Sequence, residues 1–386
     1  MKILQLSVLL GCLVFPYCAT AQEWRSECVG YYQLQLPDNL EVALLPVDLI
    51  INPRKNPAWT KNEFVRRYLF PKISFGNNRY QDNNDRTQAQ FSGFYYSDYE
   101  IGVSSDSKSE INLGNYKNKF EERANDHIQD YWDERNYELS LKLPVLSKEI
   151  AEQSLMYSID NYTDAFSSAD SGGYSLFINK NRRLYIFNKT SEAQSLAEQL
   201  KISKPEVLSL LNRFRPRKLY EVPAEQGFCM PYGFVARDSG QEPRNMGVTY
   251  RLKDHPVVTI FFQDLGMEPN AGKESELNDK DYVTWLWNWQ YQWSAVSKEL
   301  IRPKWRSIKM GGKEGLGTFA KSVFKDGRTD YGYVAYVRGN HKARNLEPDL
   351  LFYVMQDSRQ AKNQPPMDKD ELKKMAEHII SSVKRR

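Results

Sequence analysis

The chain has 386 residues, a length that corresponds to two or three domains at roughly 150 residues each. Apolar residues make up 41% and charged residues 26%, a balance that is ordinary for a folded protein and excludes wholesale disorder. The 53 Lys and Arg against 49 Asp and Glu leave a net charge of only +4, which argues against the concentrated basic field of nucleic-acid binders. Only four histidines are present, so a metal site built from histidine is disfavoured.

The N-terminus has the features of a cleavable export signal of 21 residues. Lys2 supplies a positive charge, residues 3–15 form an apolar stretch too short to span a bilayer, and residues 19–21 read A-T-A. We therefore predict an exported chain that begins at Gln22. A lipoprotein signal at Cys12 is the less favoured alternative, because only about eight apolar residues would precede that cysteine. No later apolar stretch is long enough to predict a transmembrane helix.

Removal of this signal would leave two cysteines, Cys28 and Cys229. Two cysteines in an oxidising compartment favour a disulfide. It would close a loop of about 200 residues. In the chain-entropy model this restriction of the unfolded chain stabilises the folded state by roughly 5 kcal/mol. Two separately buried thiols are the alternative.

The first half of the mature chain predicts β-hairpins with a few helices between them. The predicted strands lie on both sides of a turn at residues 37–39, over residues 137–146 (Leu139, Leu141 and Leu143), and as a hairpin over residues 174–187. The predicted helices cover residues 63–68, 115–137, 191–200, and a segment that starts with a capping box at Ser203 and ends near Phe214.

A basic run at residues 213–218 follows that last helix. It is interpreted as a solvated helix end, where basic side chains are favoured by the helix dipole, and the alternative is a patch for an anionic surface. The stretch 216–227 is the predicted domain boundary, so that residues 22–220 and 221–386 form two domains.

The second half predicts the same mixture of hairpins and helices. Its predicted strands cover residues 247–252, 257–262, a hairpin over 316–338, and 350–355. Its predicted helices cover residues 280–300 and a C-terminal segment from Asp368 with Leu372, Met375, Ile379 and Val383 on one face. The expected fold class is therefore α+β, with two domains that each pack antiparallel hairpins against a few helices.

Motifs that would carry catalysis are missing from the sequence. There is no G-x-S-x-G elbow, no H-E-x-x-H and no paired C-x-x-C. The glycine-rich segment 311–317 lacks the Walker spacing and is interpreted as a turn. Carboxylates are plentiful, but no pair stands out as the acid and base of a hydrolase. The sequence therefore predicts no catalytic residue, no metal site and no cofactor.

The predicted helix over residues 280–300 is rich in aromatic residues. Its stripe of Tyr282, Leu286, Trp289, Trp293, Val296 and Leu300 is interpreted as core. Trp287 and Tyr291 lie one turn apart on a different face. They are the candidate partner-binding residues, since Trp and Tyr are favoured anchors of interfaces. The alternative is that they line a second packing surface inside the protein.

Two segments carry a resemblance to a known family. Residues 27–37 (ECVGYYQLQLP), followed by Leu-Glu-Val at 40–42, resemble the N-terminal domain of bacterial immunity proteins against type VI secreted phospholipases. Residues 227–229 (GFC) and 233–235 (GFV) resemble the start of the C-terminal domain of that family. Cys28 and Cys229 match family positions.

This resemblance implies a periplasmic, two-domain α+β protein without enzymatic activity. Its partner would be an antibacterial phospholipase effector, which such proteins clamp between their domains. A carboxylate-dependent hydrolase and a periplasmic module that binds a glycan or small ligand are the alternatives from other classes.

Overall fold

The structure is a computed structural model that describes residues 23–52, 73–75, 94–267, 277–290, 295–358 and 366–386. The strands of the first half are β1 (Trp24–Val29), β2 (Tyr32–Pro37), β3 (Leu40–Val42), β4 (Phe94–Tyr96), β5 (Tyr99–Val103), β6 (Tyr157–Tyr162), β7 (Ala165–Asp170), β8 (Gly173–Lys180), β9 (Arg183–Thr190) and β10 (Phe214–Pro216). Those of the second half are β11 (Gly227–Met230), β12 (Gly233–Ala236), β13 (Arg244–Leu252), β14 (Val258–Leu265), β15 (Ser297–Leu300), β16 (Arg306–Met310), β17 (Lys313–Val323), β18 (Thr329–Val337), β19 (Asp349–Gln356) and β20 (Lys384–Arg385). The helices are α1 (Val47–Ile51), α2 (Leu113–Ser140), α3 (Lys148–Leu155), α4 (Leu196–Arg213), α5 (Asp279–Trp285) and α6 (Lys369–Ser382). This mixture confirms the predicted α+β class.

One large antiparallel sheet of fourteen strands runs through both halves of the described chain. Its main order is β15-β17-β18-β19-β14-β13-β4-β5-β9-β8-β7-β6, with β16 added beside β17 and β3 beside β13. The short strand β4 makes the connection, because it pairs with β13 on one side and with β5 on the other. The two halves of the chain therefore share a continuous hydrogen-bonded ladder.

Two small sheets accompany this body, one formed by the two ends of the chain and one by residues 214–236 in its middle. The first and last segments meet in the order β1-β2-β20, and β12 lies between β10 and β11. Helix α6 covers the first of these small sheets with the apolar face that its three- and four-residue spacing predicts, since Leu372 and Ile379 are fully buried. The helix begins at Asp368, as the sequence predicted, and the Asp368 carboxylate caps it by accepting hydrogen bonds from the backbone of residues 370 and 371.

The hairpins predicted over residues 174–187 and 316–338 are confirmed, as β8–β9 and β17–β18. In the first of them, Asn181 and Arg182 have φ of 51° and 58°, the left-handed values of a tight two-residue hairpin turn. The strands predicted near residues 247–252, 257–262 and 350–355 are present as β13, β14 and β19.

The strand predicted over residues 137–146 is wrong. Helix α2 continues to Ser140, Lys142 then has a φ of 58°, and residues 141–147 form an irregular turn before α3. No strand lies beside this segment within the described chain, so its alternating leucines have no ladder to join. They are exposed instead.

The long helix predicted over residues 280–300 is also wrong in its second half. Helix α5 passes into a π-turn at Leu286–Gln290, and Ser297–Leu300 forms strand β15 on β17. Val296, assigned to the core by its spacing, is 56% exposed. The helical spacing of apolar residues continues through residues 297–300, but these residues pair with β17 and form a strand at the edge of the sheet.

The two helices predicted between residues 191 and 214 form one helix, α4. Its N-cap is Ser195, whose hydroxyl accepts from the backbone of Glu198, while Pro205 lies inside the helix. The capping box predicted at Ser203 is therefore absent, and the Ser203 side chain is buried. The signal segment before residue 23, the helix predicted at residues 63–68, Tyr291 and Trp293 lie outside the described residues.

Candidate partner-binding surface

The N-terminal strand is joined to the second half of the chain at Cys28 and Cys229. Their sulfur atoms are 2.13 Å apart, their Cα atoms 5.8 Å apart, and both residues are buried. Beside them, Gly30 and Cys229 exchange two backbone hydrogen bonds of 2.8 and 3.0 Å. The fold therefore supplies the geometry that the predicted disulfide requires.

A buried arginine organises this seam between β1 and β11. The guanidinium of Arg217 donates to the carbonyl oxygens of Cys28 (3.0 Å) and Met230 (3.0 Å), and it forms an ion pair with Glu27. Only 2% of the Arg217 side chain and none of the Glu27 side chain is exposed. Arg217 was interpreted from sequence as part of a solvated helix end, and for this residue that interpretation is wrong. No local pattern distinguishes it from its exposed neighbours Arg215 and Lys218.

A second buried ion pair anchors the turn between β1 and β2. Arg244 donates to Asp264 over 2.7 Å, with both side chains fully buried, and the same carboxylate accepts from the backbone of Tyr31 over 3.0 Å. Gly30, with a φ of 58°, lies so close that a Cβ atom there would be 2.3 Å from Asp264 Oδ2. These contacts fix the N-terminal strand on the C-terminal half.

Trp287 lies in the core of the second half. It is 3% exposed, its ring packs among Val334, Tyr353 and other buried side chains, and its Nε1 donates to Thr318 Oγ1 over 2.9 Å. A side chain buried in this way presents no surface to a partner in the free protein, so the interface interpretation of Trp287 is not supported and the packing alternative describes its contacts. Tyr291 cannot be placed beside it, because residue 291 lies outside the described chain.

The largest group of exposed apolar side chains lies elsewhere, on a helical hairpin that we call the arm (residues 125–156). Helix α2 is about 42 Å long at 1.5 Å per residue, and its buried residues, Tyr116, Phe120 and Ala124, are confined to its first half. The remaining residues extend beyond the body and return through α3, whose only buried residue is Ala151.

The turn of the arm is held in one conformation by polar contacts. Arg135 donates to the carbonyl oxygen of Leu146 over 3.0 Å, and Ser147 caps α3 by accepting from the backbone of Ile150. At the base, the Tyr157 hydroxyl donates to Asn125 over 3.3 Å.

Apolar side chains concentrate at the end of the arm. Twelve large apolar residues are exposed in the described part of the chain, and seven of them lie within twenty residues of sequence. Six of them lie at or near the turn of the arm (Tyr137, Leu139, Leu141, Leu143, Leu146 and Ile150), and Met156 lies at its base, next to Tyr157. An exposed apolar group of this kind is typical of an interaction site. Sequence reasoning placed three of these leucines in a strand and so missed the surface.

The charge of the arm is opposite to that of the rest of the chain. Residues 125–156 carry seven carboxylates and three basic side chains, a net charge of −4. Since the whole chain has a net charge of +4, the remaining residues carry +8. Four of the seven carboxylates lie on α2 ahead of the tip, at Asp126, Asp130, Asp133 and Glu134, and we call them the acidic segment. Residues 137–150 carry two carboxylates and two lysines.

Fully buried carboxylates in the described chain have structural partners. Glu27 and Asp264 are paired with arginines, and Asp330 accepts from Gln356 Nε2 (3.3 Å) and from the backbone of Ser358 (3.1 Å). Burial raises the pKa of Asp330. No group of three or more His, Cys, Asp or Glu side chains in the described residues has the arrangement of a metal site.

An open pocket of about 760 Å³ lies beside the C-terminal strand β20. Its wall includes Arg385 and Arg386, but backbone carbonyls already hold both guanidinium groups: Arg385 donates to Gly240 over 2.9 Å and Arg386 to Glu225 over 3.1 Å. The two arginines therefore fix the end of the chain, and their guanidinium groups are already engaged by the protein itself.

Comparison with known proteins decides the family. Residues 221–386 match the family model described as the Tle cognate immunity protein 4 C-terminal domain. This match covers fewer than half of the 386 residues of the chain and identifies residues 221–386 as a domain of that family. No curated protein sequence matches the chain.

Solved structures extend the likeness of this chain beyond the matched residues, to 94% of its length. It resembles a chain in the Tle4–Tli4 complex, with 16% identity, 94% of this chain and 97% of that chain covered, and a TM-score of 0.53. It also resembles the T6SS immunity protein TplEi from Pseudomonas aeruginosa, solved with "L" peptide, with 14% identity, coverage of 94% and 98%, and a TM-score of 0.50. At these identities the likeness establishes a shared fold. No helix in the described ranges is long and apolar enough to cross a membrane.

Proposed function

We propose that this protein neutralises an antibacterial phospholipase effector of the type VI secretion system by binding it. The observation that carries this proposal is the match of residues 221–386 to the C-terminal domain of the Tle cognate immunity proteins. The fold shared with the Tle4–Tli4 complex and with TplEi over 94% of the chain supports it.

The decisive experiment is a toxicity rescue. A phospholipase encoded beside this gene is directed to the periplasm of a sensitive host, with and without the full-length immunity protein. Rescue of growth, together with co-purification of the two proteins, is the expected result. Continued killing at full expression of the immunity protein, with no complex recovered, would contradict the proposal.

We infer that neutralisation is stoichiometric and not enzymatic. The structural partners of the buried carboxylates and the absence of catalytic motifs from the sequence support this view. Titration of the phospholipase with immunity protein should reach full inhibition near one molar equivalent, with the phospholipase chain intact by mass spectrometry. Full inhibition by a small fraction of an equivalent would indicate turnover.

We further propose that the protein acts in the periplasm after cleavage before Gln22. Supporting features are the apolar leader in the sequence and the approach of Cys28 and Cys229, which suits an oxidising compartment. N-terminal sequencing of periplasmic protein should begin at Gln22. A retained leader or a lipid on Cys12 would refute this point.

The division into domains at residues 22–220 and 221–386 also remains our proposal. The family model begins at residue 221, which is compatible with a boundary there. The two domains are nevertheless closely joined, because β3 and β4 pair with β13 and β2 pairs with β20. A partner would therefore meet a pre-arranged pair of domains.

A further inference from the structure

We propose that the apolar tip of the arm docks on the apolar, lipid-facing surface of the phospholipase effector. This inference rests on the proposed function and adds to it the part of the molecule that makes contact. The tip consists of the six exposed apolar residues from Tyr137 to Ile150.

The first argument is that hydrogen bonds order the hairpin while the apolar side chains at its tip stay exposed. Three contacts hold the hairpin: Ser147 caps α3, Arg135 donates to Leu146, and Tyr157 donates to Asn125. Each large apolar side chain left exposed forgoes the stabilisation that burial would give it. A rigid surface of this kind loses little conformational entropy when a partner covers it, so the burial energy becomes available to binding.

The second argument is charge, which selects among possible occupants. The arm carries −4 and would be repelled by an anionic membrane surface, where basic residues are the usual anchors. Arms of two copies would repel one another for the same reason. A partner surface that is apolar and bordered by basic groups would complement both the apolar tip and the negative charge of the arm.

An enzyme that binds anionic phospholipids presents a surface of that chemistry. Its lipid-facing side must accept acyl chains and the phosphates around them, which calls for apolar residues bordered by basic ones. The arm offers exposed leucines at its turn and, ahead of them on α2, carboxylates such as Asp130, Asp133 and Glu134. The tip therefore imitates the chemistry of a phospholipid surface and competes with the membrane for the same face of the enzyme.

The test compares the triple variant Leu139→Ser/Leu141→Ser/Leu143→Ser with wild type, using the purified phospholipase that the wild-type chain neutralises. The matched control is Ile202→Ser/Leu208→Ser, two exposed apolar residues on α4. We expect the dissociation constant to rise at least about 30-fold for the triple variant, with an unchanged melting temperature, and to stay within about twofold for the control. The single variant Leu141→Ser, with an expected loss of about fivefold, guards against a folding defect in the triple variant.

A charge variant gives an independent readout. Asp130→Asn/Glu134→Gln should lower the association rate at low salt, because these two carboxylates of the acidic segment no longer attract a basic partner. The association rate should also depend less on ionic strength. An unchanged association rate at low salt would contradict the choice of a basic-rimmed partner.

The outcomes separate the two proposals. If wild type neutralises the phospholipase and the triple variant does so equally well, the arm is not the docking site and the proposed function stands. If wild type binds no phospholipase, both proposals fail. Co-sedimentation of wild type, but not of the triple variant, with phosphatidylglycerol vesicles would assign the tip to the membrane and overturn the inference. Self-association that the triple substitution abolishes would assign it to a second copy, with the same consequence.

Discussion

At Gly30 the backbone has a φ of 58°, and the space where a Cβ atom would lie is filled by the carboxylate of Asp264. Gly30→Ala should therefore lower the free energy of unfolding by more than about 2 kcal/mol, since left-handed strain adds to displacement of a buried ion pair. Urea denaturation measures this. The matched control is Gly312→Ala, where φ is 83° and no atom lies within 4 Å, so only strain of about 1 kcal/mol is expected. Equal losses in the two variants would show that the contact with Asp264 does not matter.

The pairing of Cys28 and Cys229 stays a prediction that chemistry can test. Cys28→Ser should lower the free energy of unfolding by up to about 5 kcal/mol, because a loop closed across 201 residues of sequence separation no longer restrains the unfolded chain. Cys229→Ser and the double variant should lose the same amount, since each removes the same bond. Wild-type protein from the periplasm that melts at the same temperature with and without reductant would show that no disulfide forms.

At the scale of single elements, α5 is held on the sheet of the second half by Trp287. Trp287→Ala should lower the free energy of unfolding by about 3–5 kcal/mol, because it leaves a cavity and removes the donor to Thr318. Affinity for the phospholipase should change little in the fraction that remains folded. The control Val296→Ala removes an exposed side chain and should stay within about 0.5 kcal/mol of wild type. A loss of affinity with no change in stability would restore Trp287 as an interface residue.

At the scale of the whole molecule, the two halves depend on each other. Residues 221–386 alone lack β2, which pairs with β20 and lies against α6. They also lack Trp24 of β1, whose ring contacts that of His378 on α6 with ring centres 3.8 Å apart. We expect neither that fragment nor residues 22–220 to melt cooperatively by circular dichroism, and co-expressed fragments to associate. Two fragments that each fold cooperatively would show that the contacts between the two halves contribute little to stability.

The aromatic core makes the whole molecule sensitive to alkali. Burial raises the pKa of Tyr32, Tyr116 and Tyr333 to about 12, against 10 in the unfolded chain. Above pH 10 the unfolded state loses protons that the folded state keeps, so stability should fall between pH 10 and 12. Burial lowers the pKa of Lys298 to about 8, which has the opposite effect between pH 8 and 10.5. The loss should therefore begin only above pH 10.

Urea denaturation at each pH, combined with Tyr116→Phe, tests this account. The variant keeps the ring but removes one group that can ionise, so its stability should fall less steeply above pH 10. Identical slopes for the variant and wild type would mean that Tyr116 does not contribute.

The sequence by itself determined much of this protein. The hairpin turn at Asn181 and Arg182 and the cap at Asp368 were predictable because their signals are local. The α+β class followed from the order of elements, and the resemblance to the immunity family, which the match of residues 221–386 supports, followed from the short motifs at Cys28 and Cys229. These features depend on neighbours in sequence, which a reader of the sequence can see.

The tertiary structure alone decided where the chain is buried and where it is exposed. Arg217 has the local context of a surface residue, yet it lies at the seam because Glu27 and the carbonyls of β1 and β11 surround it. Trp287 has the sequence context of an interface residue, yet its side chain is buried in the core. Leu139, Leu141 and Leu143 alternate as in a half-buried strand, yet they are exposed on the arm. Burial is set by contacts between residues distant in sequence, so the period of an apolar pattern cannot show which apolar groups are left for a partner.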